Sequence, residues 1–514
     1  MSSARGTMSD GESLPSRIHG VFGQYAKTDP DRVALVDGSL VWTYGELTRS
    51  VEEIAEALRD LEIRPGDRMM IVAENSLALA GLLFAASRID AWAIVANPRL
   101  THRELEQIRT HSGARRVFFA NQVSKEAAAH AATYEASVGP IASLPEIGRT
   151  SLNEAAVPEP VEQSGADQVA VLIYTSGTTG VPKGVMLTHE NLLVSASETA
   201  RFWTIGEEDI NYLVLPISHI VGTSLLVLTL LVGGCAKLVS RYDPAALAKA
   251  IAEEGVTVLN GVPATYQKLL EYKELAGKPS LQRGKLRIAT VAGAPLDVEL
   301  KRRVERELGI PLLNGYGITE CAPGISGVRP HMSRDDHSVG TLISGVEAKL
   351  VTLDGADVPD GEVGELHVRG RNVMRGYYRA PDTTAAAIDR DGWFNTGDLA
   401  RFEGSQMFIV GRTKEMIIRS GFNVYPAEIE AVLSSHPAVV QCAVVGKKVE
   451  GNEEVVAFVQ LLAGSAVSTE ELSEFIRPQL APYKRPAEII LMNALPATST
   501  GKLLKHKLRE SINA

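Results

Sequence analysis

The segment 174–184 combines the residue types that binding a polyphosphate requires. Its sequence, YTSGTTGVPKG, follows an apolar strand predicted at 169–174 and precedes a helix predicted at 189–203. Glycines let backbone N–H groups turn toward a ligand, hydroxyl side chains add donors, and a lysine adds positive charge. The segment is therefore a candidate phosphate-binding loop, with contacts expected from Thr175, Ser176, Gly177, Thr178, Thr179, Gly180 and Lys183.

The spacing within this segment argues against a Walker A loop. Lys183 is followed by Gly184 rather than by Ser or Thr, and the G-x-x-x-x-G-K spacing is absent. A P-loop ATPase or a kinase is therefore disfavoured. The alternative for the segment alone is a flexible surface turn, because glycine-rich turns are common in proteins.

Apolar strands alternate with helical patterns on both sides of this loop. Thr43, with Glu46 three residues later, predicts the capped start of a helix. The alternation favours parallel sheets that are covered by helices on both faces. The Pro/Gly/Ser-rich stretch 139–168 predicts a surface connection. The strands predicted in this region are 68–72, 169–174, 256–259, 286–292 and 312–316.

The pattern changes in the last third of the chain. Beyond Gly345 it consists of strands and turns, and from about Gly411 a separate α+β unit of about 100 residues is predicted. The predicted fold class is α/β, with an N-terminal domain over 1–410 and a C-terminal domain over 411–514.

Composition narrows the classes of function. Lys and Arg number 52 against 62 Asp and Glu, a net charge of −10, which argues against a nucleic-acid partner bound through a broadly basic surface. The three cysteines, Cys235, Cys321 and Cys442, form no Cys-x-x-Cys pair, which is typical of a reducing compartment. The first 15 residues lack the apolar core of a signal peptide, so a cytoplasmic location is predicted.

One stretch has the length of a membrane span. No charged residue occurs between Ile210 and Ala236. Pro216, His219 and the Gly233-Gly234 pair interrupt it, and no basic cluster flanks it. A buried strand followed by a buried helix is the preferred interpretation, with no integral membrane span.

Further motifs occur in a characteristic order. These are Tyr316-Gly317-Ile318-Thr319-Glu320, Thr396-Gly397-Asp398, and the segment 496–502 ending in Gly501-Lys502. Together with 174–184, they make the chain resemble the adenylate-forming superfamily, in particular aryl- and medium-chain acyl-CoA ligases. The resemblance implies a large N-terminal domain with parallel-sheet subdomains and a small β-barrel-like subdomain. It also implies a small, mobile C-terminal domain.

The resemblance assigns a nucleotide site. Tyr316 is expected to stack on adenine, Asp398 and Arg412 to reach the ribose, and Thr319 to contact phosphate. Glu320 is expected to help hold Mg²⁺, since a hard cation prefers carboxylate oxygen. Further nucleotide contacts are implied at Gly293, Ala294, Pro295, Asn314, Gly315 and Gly317.

The resemblance also assigns catalytic and acyl-binding residues. Lys502 is expected to neutralise charge at the α-phosphate during adenylation, and Thr175, Glu320 and His219 complete the catalytic set. Because His219 stands where amino-acid-activating relatives carry an Asp, an α-amino acid substrate is disfavoured. A medium-length aliphatic or simple aromatic acid is preferred over a dianion. The implied pocket residues are His219, Ile220, Val221, Thr223, Val262, Gly293, Gly317, Ala322, Pro323 and Gly324.

The C-terminal part is implied to bind coenzyme A. Lys414 corresponds to the hinge, and Ser420, Gly421 and Phe422 to a loop that lines the pantetheine tunnel. Arg485 matches a residue that meets the CoA nucleotide. Ala487 stands where some relatives have a second Lys, and the stretch 447–451 lacks a tryptophan found in others.

The implied activity is a two-step ligation of a carboxylic acid to CoA, with ATP, Mg²⁺ and CoA as cofactors. An acyl-adenylate and pyrophosphate form first, then acyl-CoA and AMP, and the C-terminal domain rotates between the steps. The alternatives are an acyl-AMP ligase that loads a carrier protein, and a non-catalytic nucleotide-binding protein. The partners are small molecules, and the resemblance is compatible with a homodimer.

Overall fold

A computed structural model describes residues 13–175, 182–352, 355–359, 361–420, 422–449, 452–462, 464–497 and 503–513. Helices and strands alternate through most of these residues. The helices are α1 Gly23–Thr28, α2 Tyr44–Asp60, α3 Leu77–Arg88, α4 His102–Ser112, α5 Lys125–Thr133, α6 His189–Phe202, α7 Ile220–Leu231, α8 Pro244–Glu253, α9 Pro263–Leu275, α10 Val298–Leu308, α11 Pro381–Ala387, α12 Pro426–Ser434, α13 Thr469–Ile476 and α14 Lys505–Asn513.

Strands occur along the whole described chain. Those before residue 262 are β1 Val33–Asp37, β2 Leu40–Thr43, β3 Arg68–Val72, β4 Trp92–Ala96, β5 Arg116–Ala120, β6 Ser137–Ile141, β7 Leu144–Arg149, β8 Val169–Thr175, β9 Lys183–Thr188, β10 Ile210–Leu213, β11 Cys235–Leu238 and β12 Val258–Gly261. The others are β13 Ile288–Val291, β14 Leu312–Gly317, β15 Gly324–Gly327, β16 Thr341–Leu342, β17 Glu347–Val351, β18 Gly364–Arg369, β19 Gly376–Tyr377, β20 Phe394–Glu403, β21 Gln406–Arg412, β22 Ile417–Arg419, β23 Phe422–Val424, β24 Val439–Val449, β25 Asn452–Leu461 and β26 Glu488–Leu491.

Two large mixed sheets form the N-terminal domain. One has the order β16-β15-β14-β13-β12-β10-β11-β1-β2 and is parallel from β14 to β1. The other has the order β19-β9-β8-β4-β3-β5-β7-β6 and is parallel from β8 to β5. Helices between parallel strands bury the sheet faces, as the alternating pattern predicts. The expected α/β class, with a large N-terminal and a small C-terminal domain, is confirmed.

Local sequence signals set several helix starts. Thr43 accepts from the Glu46 N–H, and the Glu46 carboxylate accepts from the Thr43 N–H, which completes the predicted capping box of α2. Ser468 and Glu471 do the same for α13. Such caps satisfy backbone donors that have no partner inside the helix, so they are readable from sequence.

Strand β9, which the sequence analysis did not predict, lies between the loop at 174–184 and the predicted helix. The loop joins two antiparallel strands, β8 and β9, and Thr175 pairs with Lys183 across them. Val185 and Leu187 of β9 are fully buried, and this alternation belongs to a strand. Helix α6 begins at His189, as predicted. The residues 176–181 lie outside the described chain.

One expectation of the sequence analysis is corrected. The stretch 139–168 is not a plain surface connection, because β7 lies within it and pairs with β6 and β5. Ile141, Leu144 and Ile147 are buried and supply the apolar side of this hairpin. The region predicted as β-barrel-like contains an antiparallel sheet with the order β17-β18-β20-β21.

The C-terminal domain has cores of its own. Strands β24 and β25 pair antiparallel, and β26 joins β25 in parallel. One apolar cluster lies between this sheet and α12 and α13, and a second includes Leu508 of α14. This part therefore buries apolar side chains independently of the two large sheets.

The apolar run at 210–236 folds as strand β10, helix α7 and strand β11. Helix α7 has 12 residues, and nearly all of them are buried. A helix needs about 20 apolar residues to cross a bilayer. None of the helices in the described chain meets the length and apolarity that a membrane span requires.

Candidate active site

Three residues predicted to bind the nucleoside converge although they lie far apart in sequence. Tyr316 Oη donates to Asp398 Oδ2 at 2.5 Å, across 82 residues. Arg412 Nε lies 2.9 Å from Asp398 Oδ1. Tyr316 is near the end of β14, Asp398 lies in β20, and Arg412 ends β21 next to it. Strand pairing places Asp398 opposite Arg412, and Tyr316 reaches them from a different sheet.

The carboxylate of Asp398 is positioned to accept hydrogen bonds. Only 2% of its surface is exposed, and its backbone N–H donates to Thr396 Oγ1 at 3.0 Å. Tyr316 and Arg412 each contact one oxygen of the Asp398 carboxylate. An ionised carboxylate only accepts hydrogen bonds, through two oxygens, which suits the vicinal diol of a ribose.

The environment keeps the two partners in fixed protonation states. Burial raises the pKa of Tyr316 well above its usual range, and the neighbouring Asp398 carboxylate raises it further, so the phenol stays neutral. Burial by itself would lower the pKa of Arg412, but Asp398 and Glu415 outweigh it and raise that pKa. The ring therefore offers a neutral π face beside a permanent cation.

Sequence reasoning missed a tyrosine that contacts two residues predicted to lie near the phosphates. Tyr377 Oη donates to Glu320 Oε1 at 2.9 Å. On the face of the same ring, Lys183 Nζ lies 5.1 Å from the centroid, a cation–π contact. Tyr377 lies on β19, which pairs with β9 just after Lys183. The only sequence signal was a Gly-Tyr-Tyr run at 376–378, which does not say where either ring points.

Glu320 suits a magnesium ion that is bound mainly through phosphate and water. It lies in a 3-10 turn, Thr319–Cys321, immediately after β14. Within the described residues no group of three or more His, Cys, Asp or Glu side chains could hold a metal. Mg²⁺ commonly takes one or two protein carboxylates and completes its shell with substrate phosphates and water, so a single carboxylate fits.

The other residues predicted to bind the nucleotide lie at the ends of two paired strands. Gly293, Ala294 and Pro295 follow β13, and β13 pairs in parallel with β14, which contains Asn314 and Gly315. Asn314 Nδ2 donates to the carbonyls of His337 and Ser338, at 3.1 Å each, so its amide holds a neighbouring loop.

The acyl-pocket predictions divide into two groups. His219 is exposed and precedes α7 as its N-cap residue, and Val221 is partly exposed. Ile220 and Thr223 are buried, and the Thr223 hydroxyl donates to the Ile217 carbonyl at 2.6 Å. Thr223 therefore lies behind the residues predicted to line the acyl pocket and supports the turn that begins α7.

Gly317 and Pro323 form a close backbone contact. A Cβ at Gly317 would lie 2.2 Å from the Pro323 carbonyl oxygen, so only glycine fits. Gly324 lies near the Oγ atoms of Ser195 and Thr199, which places a polar face of α6 behind the predicted pocket residues. Sequence reasoning did not include these two α6 residues. Gly293 and Val262 lie at the ends of neighbouring strands in the same sheet.

The predicted CoA-binding residues make separate contacts within the C-terminal domain. Phe422 is 54% exposed and stacks on Tyr483, with ring centroids 4.7 Å apart. The Ser420 backbone N–H donates to Asn452 Oδ1 at 2.7 Å. Arg485 donates through Nε to the Leu480 carbonyl at 2.9 Å, so its guanidinium holds the chain that follows α13. Gly421 lies outside the described residues.

The predicted hinge lies between two polar contacts. Lys414 is exposed in the turn Thr413–Glu415. Thr413 Oγ1 donates to Glu365 Oε1 at 2.8 Å, a contact with β18 in the four-stranded sheet. Glu415 pairs with Lys505 at 3.1 Å, and Lys505 also pairs with Glu430 at 2.8 Å. Lys502, three residues before Lys505, lies outside the described residues.

Comparison with known proteins identifies the family. Residues 22–378 match the AMP-binding enzyme family, and residues 428–502 match the AMP-binding enzyme C-terminal domain. The chain belongs to the AMP-binding enzyme family. This match confirms the predicted adenylate-forming resemblance.

Two named relatives cover nearly the whole chain. A feruloyl-CoA synthase from Amycolatopsis is 35% identical over 488 residues, which are 94% of this chain and 96% of that protein. A 2-succinylbenzoate–CoA ligase from Geobacillus kaustophilus is 33% identical over 492 residues, covering 95% and 97%. The chain is accordingly an acid–thiol ligase of the AMP-forming type, as predicted.

A solved structure shares the architecture. The o-succinylbenzoate CoA synthetase from Bacillus subtilis, in complex with an acyl-adenylate intermediate, matches with a TM-score of 0.81 and 28% identity, over 95% of this chain and 98% of that one. The same synthetase has been solved with ATP and magnesium ion. ATP, Mg²⁺ and CoA are the cofactors of this ligase class, in agreement with the sequence analysis.

Proposed function

We propose that this enzyme joins a monocarboxylic acid to coenzyme A through an acyl-adenylate. The acid is either aromatic or aliphatic and of medium length. The observation that carries this proposal is the convergence of Tyr316, Asp398 and Arg412, since Tyr316 lies four residues before Glu320 in the chain. An acceptor for a ribose and a carboxylate for a phosphate-bound cation are thereby linked through one short segment.

The first step needs no general base from the protein. An oxygen of the substrate carboxylate attacks the α-phosphorus of ATP, a new P–O bond forms, and the bond to pyrophosphate breaks. Alignment and charge neutralisation are the work of the enzyme. Lys183 would face the departing phosphates, and Lys502 would meet the α-phosphate and the attacking carboxylate. Mg²⁺, when bound at Glu320, supplies further neutralisation of phosphate charge.

The second step transfers the acyl group. The CoA sulfur attacks the acyl carbon, a C–S bond forms, the bond to AMP breaks, and the thiol proton leaves to solvent. We assign the domain boundary to 410/411 and the rotation between steps to Lys414. The rotation would withdraw Lys502 and bring Ser420, Gly421 and Phe422 toward the acyl-adenylate, with Arg485 released toward the CoA nucleotide.

The proposed acid follows from the pocket residues. Ile220, Val221, Gly317 and Pro323 carry no charge, and His219 offers no anion that would pair with a substrate ammonium. The name of one relative cited above, feruloyl-CoA synthase, also refers to an aromatic acid with one carboxylate. A pocket lined mainly by apolar residues discriminates against a second carboxylate, because that carboxylate would lose its hydration without gaining a cation or hydrogen-bond donor.

The decisive experiment is a substrate panel. Purified enzyme is incubated with ATP, Mg²⁺, CoA and one acid at a time: benzoate, ferulate, octanoate, malonate or 2-succinylbenzoate. AMP formation and loss of free thiol are measured together. We expect the monocarboxylates to be used. Preference for malonate or 2-succinylbenzoate would overturn the proposed pocket, and AMP release that requires a carrier protein instead of CoA would overturn the proposed acceptor.

Two further points belong to the proposal. The site of action is the cytoplasm, where ATP and CoA are available and where free cysteines such as Cys235, Cys321 and Cys442 persist. The partners are the small molecules, with a homodimer as the proposed assembly and no nucleic acid. Size-exclusion chromatography with light scattering tests the assembly.

A further inference from the structure

Tyr377 separates the two charges that the phosphate end of the site requires. Its hydroxyl holds one oxygen of Glu320 at 2.9 Å, and its ring face holds Lys183 Nζ at 5.1 Å from the centroid. Within the described chain, no carboxylate lies within ion-pair distance of Lys183. The lysine and the glutamate therefore contact the same side chain rather than each other.

Such separation has a chemical consequence. An ammonium and a carboxylate in direct contact would neutralise each other, and ATP and Mg²⁺ would have to break that pair before binding. A phenol that donates to one carboxylate oxygen leaves the other oxygen free for a cation. A ring face holds an ammonium without using its hydrogen-bond donors.

The backbone fixes this tyrosine in position. Tyr377 pairs with Val185 on β9, two residues after Lys183, and only 9% of its surface is exposed. The Met374 N–H donates to the Glu320 carbonyl at 2.8 Å, which ties the segment before β19 to the turn that holds Glu320. Tyr377 therefore lies between two fixed elements, one for each charge.

From this geometry we infer that Tyr377 is a positioning residue for adenylation: its hydroxyl orients Glu320 toward the cation, and its ring keeps Lys183 directed at the phosphates. The inference rests on the proposed function, because it assigns the roles of Glu320 and Lys183 there. Mutation can separate the two contacts. Tyr377→Phe removes the hydroxyl and keeps the ring, whereas Tyr377→Leu removes both the hydroxyl and the ring.

The neighbouring residue supplies a matched control. Tyr378 is also a buried tyrosine, but its hydroxyl donates to Glu159 Oε1 at 2.5 Å, and its ring packs on Trp92. Tyr378→Phe therefore removes one hydroxyl from the same strand segment without touching Glu320 or Lys183. Melting temperatures of all variants establish that each one is folded.

The test measures ATP binding by calorimetry, with and without Mg²⁺, in the wild type, Tyr377→Phe, Tyr377→Leu and Tyr378→Phe. We expect Tyr377→Phe to bind ATP alone like the wild type but to require roughly tenfold more Mg²⁺ for half-maximal effect. Tyr377→Leu should in addition weaken binding of ATP alone, and Tyr378→Phe should behave as wild type. Thioester formation from supplied acyl-adenylate and CoA should be equal in all four proteins.

Two results would overturn the inference. One is the same Mg²⁺ requirement in Tyr377→Phe and Tyr378→Phe. The other is an equal loss of ATP binding and thioester formation in both Tyr377 variants, which would indicate a purely structural role. A failure of the proposed function is a different result, namely a wild type that binds ATP but forms no AMP with any acid in the panel.

Discussion

The phenol of Tyr316 donates a hydrogen bond to the carboxylate of Asp398, across 82 residues of sequence. Arg412 contacts the other oxygen of the same carboxylate at 2.9 Å. Removing the charge of Asp398 without changing its shape therefore tests whether this cluster binds the ribose.

Asp398→Asn should weaken ATP binding roughly 10- to 100-fold, because a charged acceptor of two hydroxyl groups becomes neutral and loses one accepting oxygen. The variant should also lose discrimination between ATP and 2′-deoxy-ATP, which initial-rate kinetics with both nucleotides measure. Tyr316→Phe, which keeps the ring, is expected to have the smaller effect. Unchanged discrimination in Asp398→Asn would remove Asp398 from the ribose site.

Lys502→Ala should slow acyl-adenylate formation about 100- to 1,000-fold, the usual effect of removing one positioned charge at a reacting centre. Conversion of supplied acyl-adenylate and CoA to thioester should continue at the wild-type rate. Pyrophosphate release measures the first half-reaction and AMP release the second. Lys507→Ala is the matched control, because Lys507 is an exposed lysine of α14. Equal loss in both half-reactions would contradict the role assigned to Lys502.

Lys414→Pro should have the opposite effect on the two steps. Proline fixes its own φ and also restricts Thr413 before it, so the backbone rotation proposed at the hinge is blocked. Adenylation should be preserved and thioester formation should fall at least tenfold in single-turnover assays. Lys414→Ala, which keeps backbone freedom, should retain both steps. A normal CoA step in the proline variant would place the hinge elsewhere.

Lys505→Met should destabilise the enzyme by about 3 kcal/mol at pH 7, because it leaves two carboxylates without their shared cation. Burial by itself would raise the pKa of Glu415, but Lys505 outweighs it, and the pKa lies below 4.5. In the wild type this contribution is present above pH 4.5 and is lost as the pH falls through the lowered pKa.

The variant should respond less to acid. Without Lys505, only the Arg412 and Lys414 charges still oppose the burial that raises the pKa of Glu415, so that pKa is higher in the variant than in the wild type. The difference in unfolding free energy between wild type and variant should therefore narrow as the pH falls toward and through the wild-type pKa of Glu415. Denaturant unfolding at several pH values measures this, with Lys507→Met as control. A deficit independent of pH would mean that packing, rather than charge, is the role of Lys505.

Several local features were readable without a structure. The capped start of α2 at Thr43, the strand at 68–72 and the buried helix after Pro216 depend on neighbours within a few residues. The loop at 174–184 and the helix after it at His189 were predicted, but strand β9 between them was not. A short apolar run such as 183–188 does not distinguish a strand from the start of a helix, and pairing with β8 and β19 decided the matter.

Motif order and residue chemistry in the sequence alone determined the family, the α/β class and the candidate nucleotide residues. Only the tertiary structure decided which of them meet. It joined Asp398 to Tyr316 and Arg412, placed Thr223 behind the predicted acyl-pocket residues, and engaged Arg485 with backbone carbonyls. It also revealed Tyr377 between Lys183 and Glu320. The physical reason is range: caps and periodicity arise from contacts within one or two turns, whereas the contacts of Tyr316 with Asp398 and of Tyr377 with Glu320 join segments that are distant in sequence.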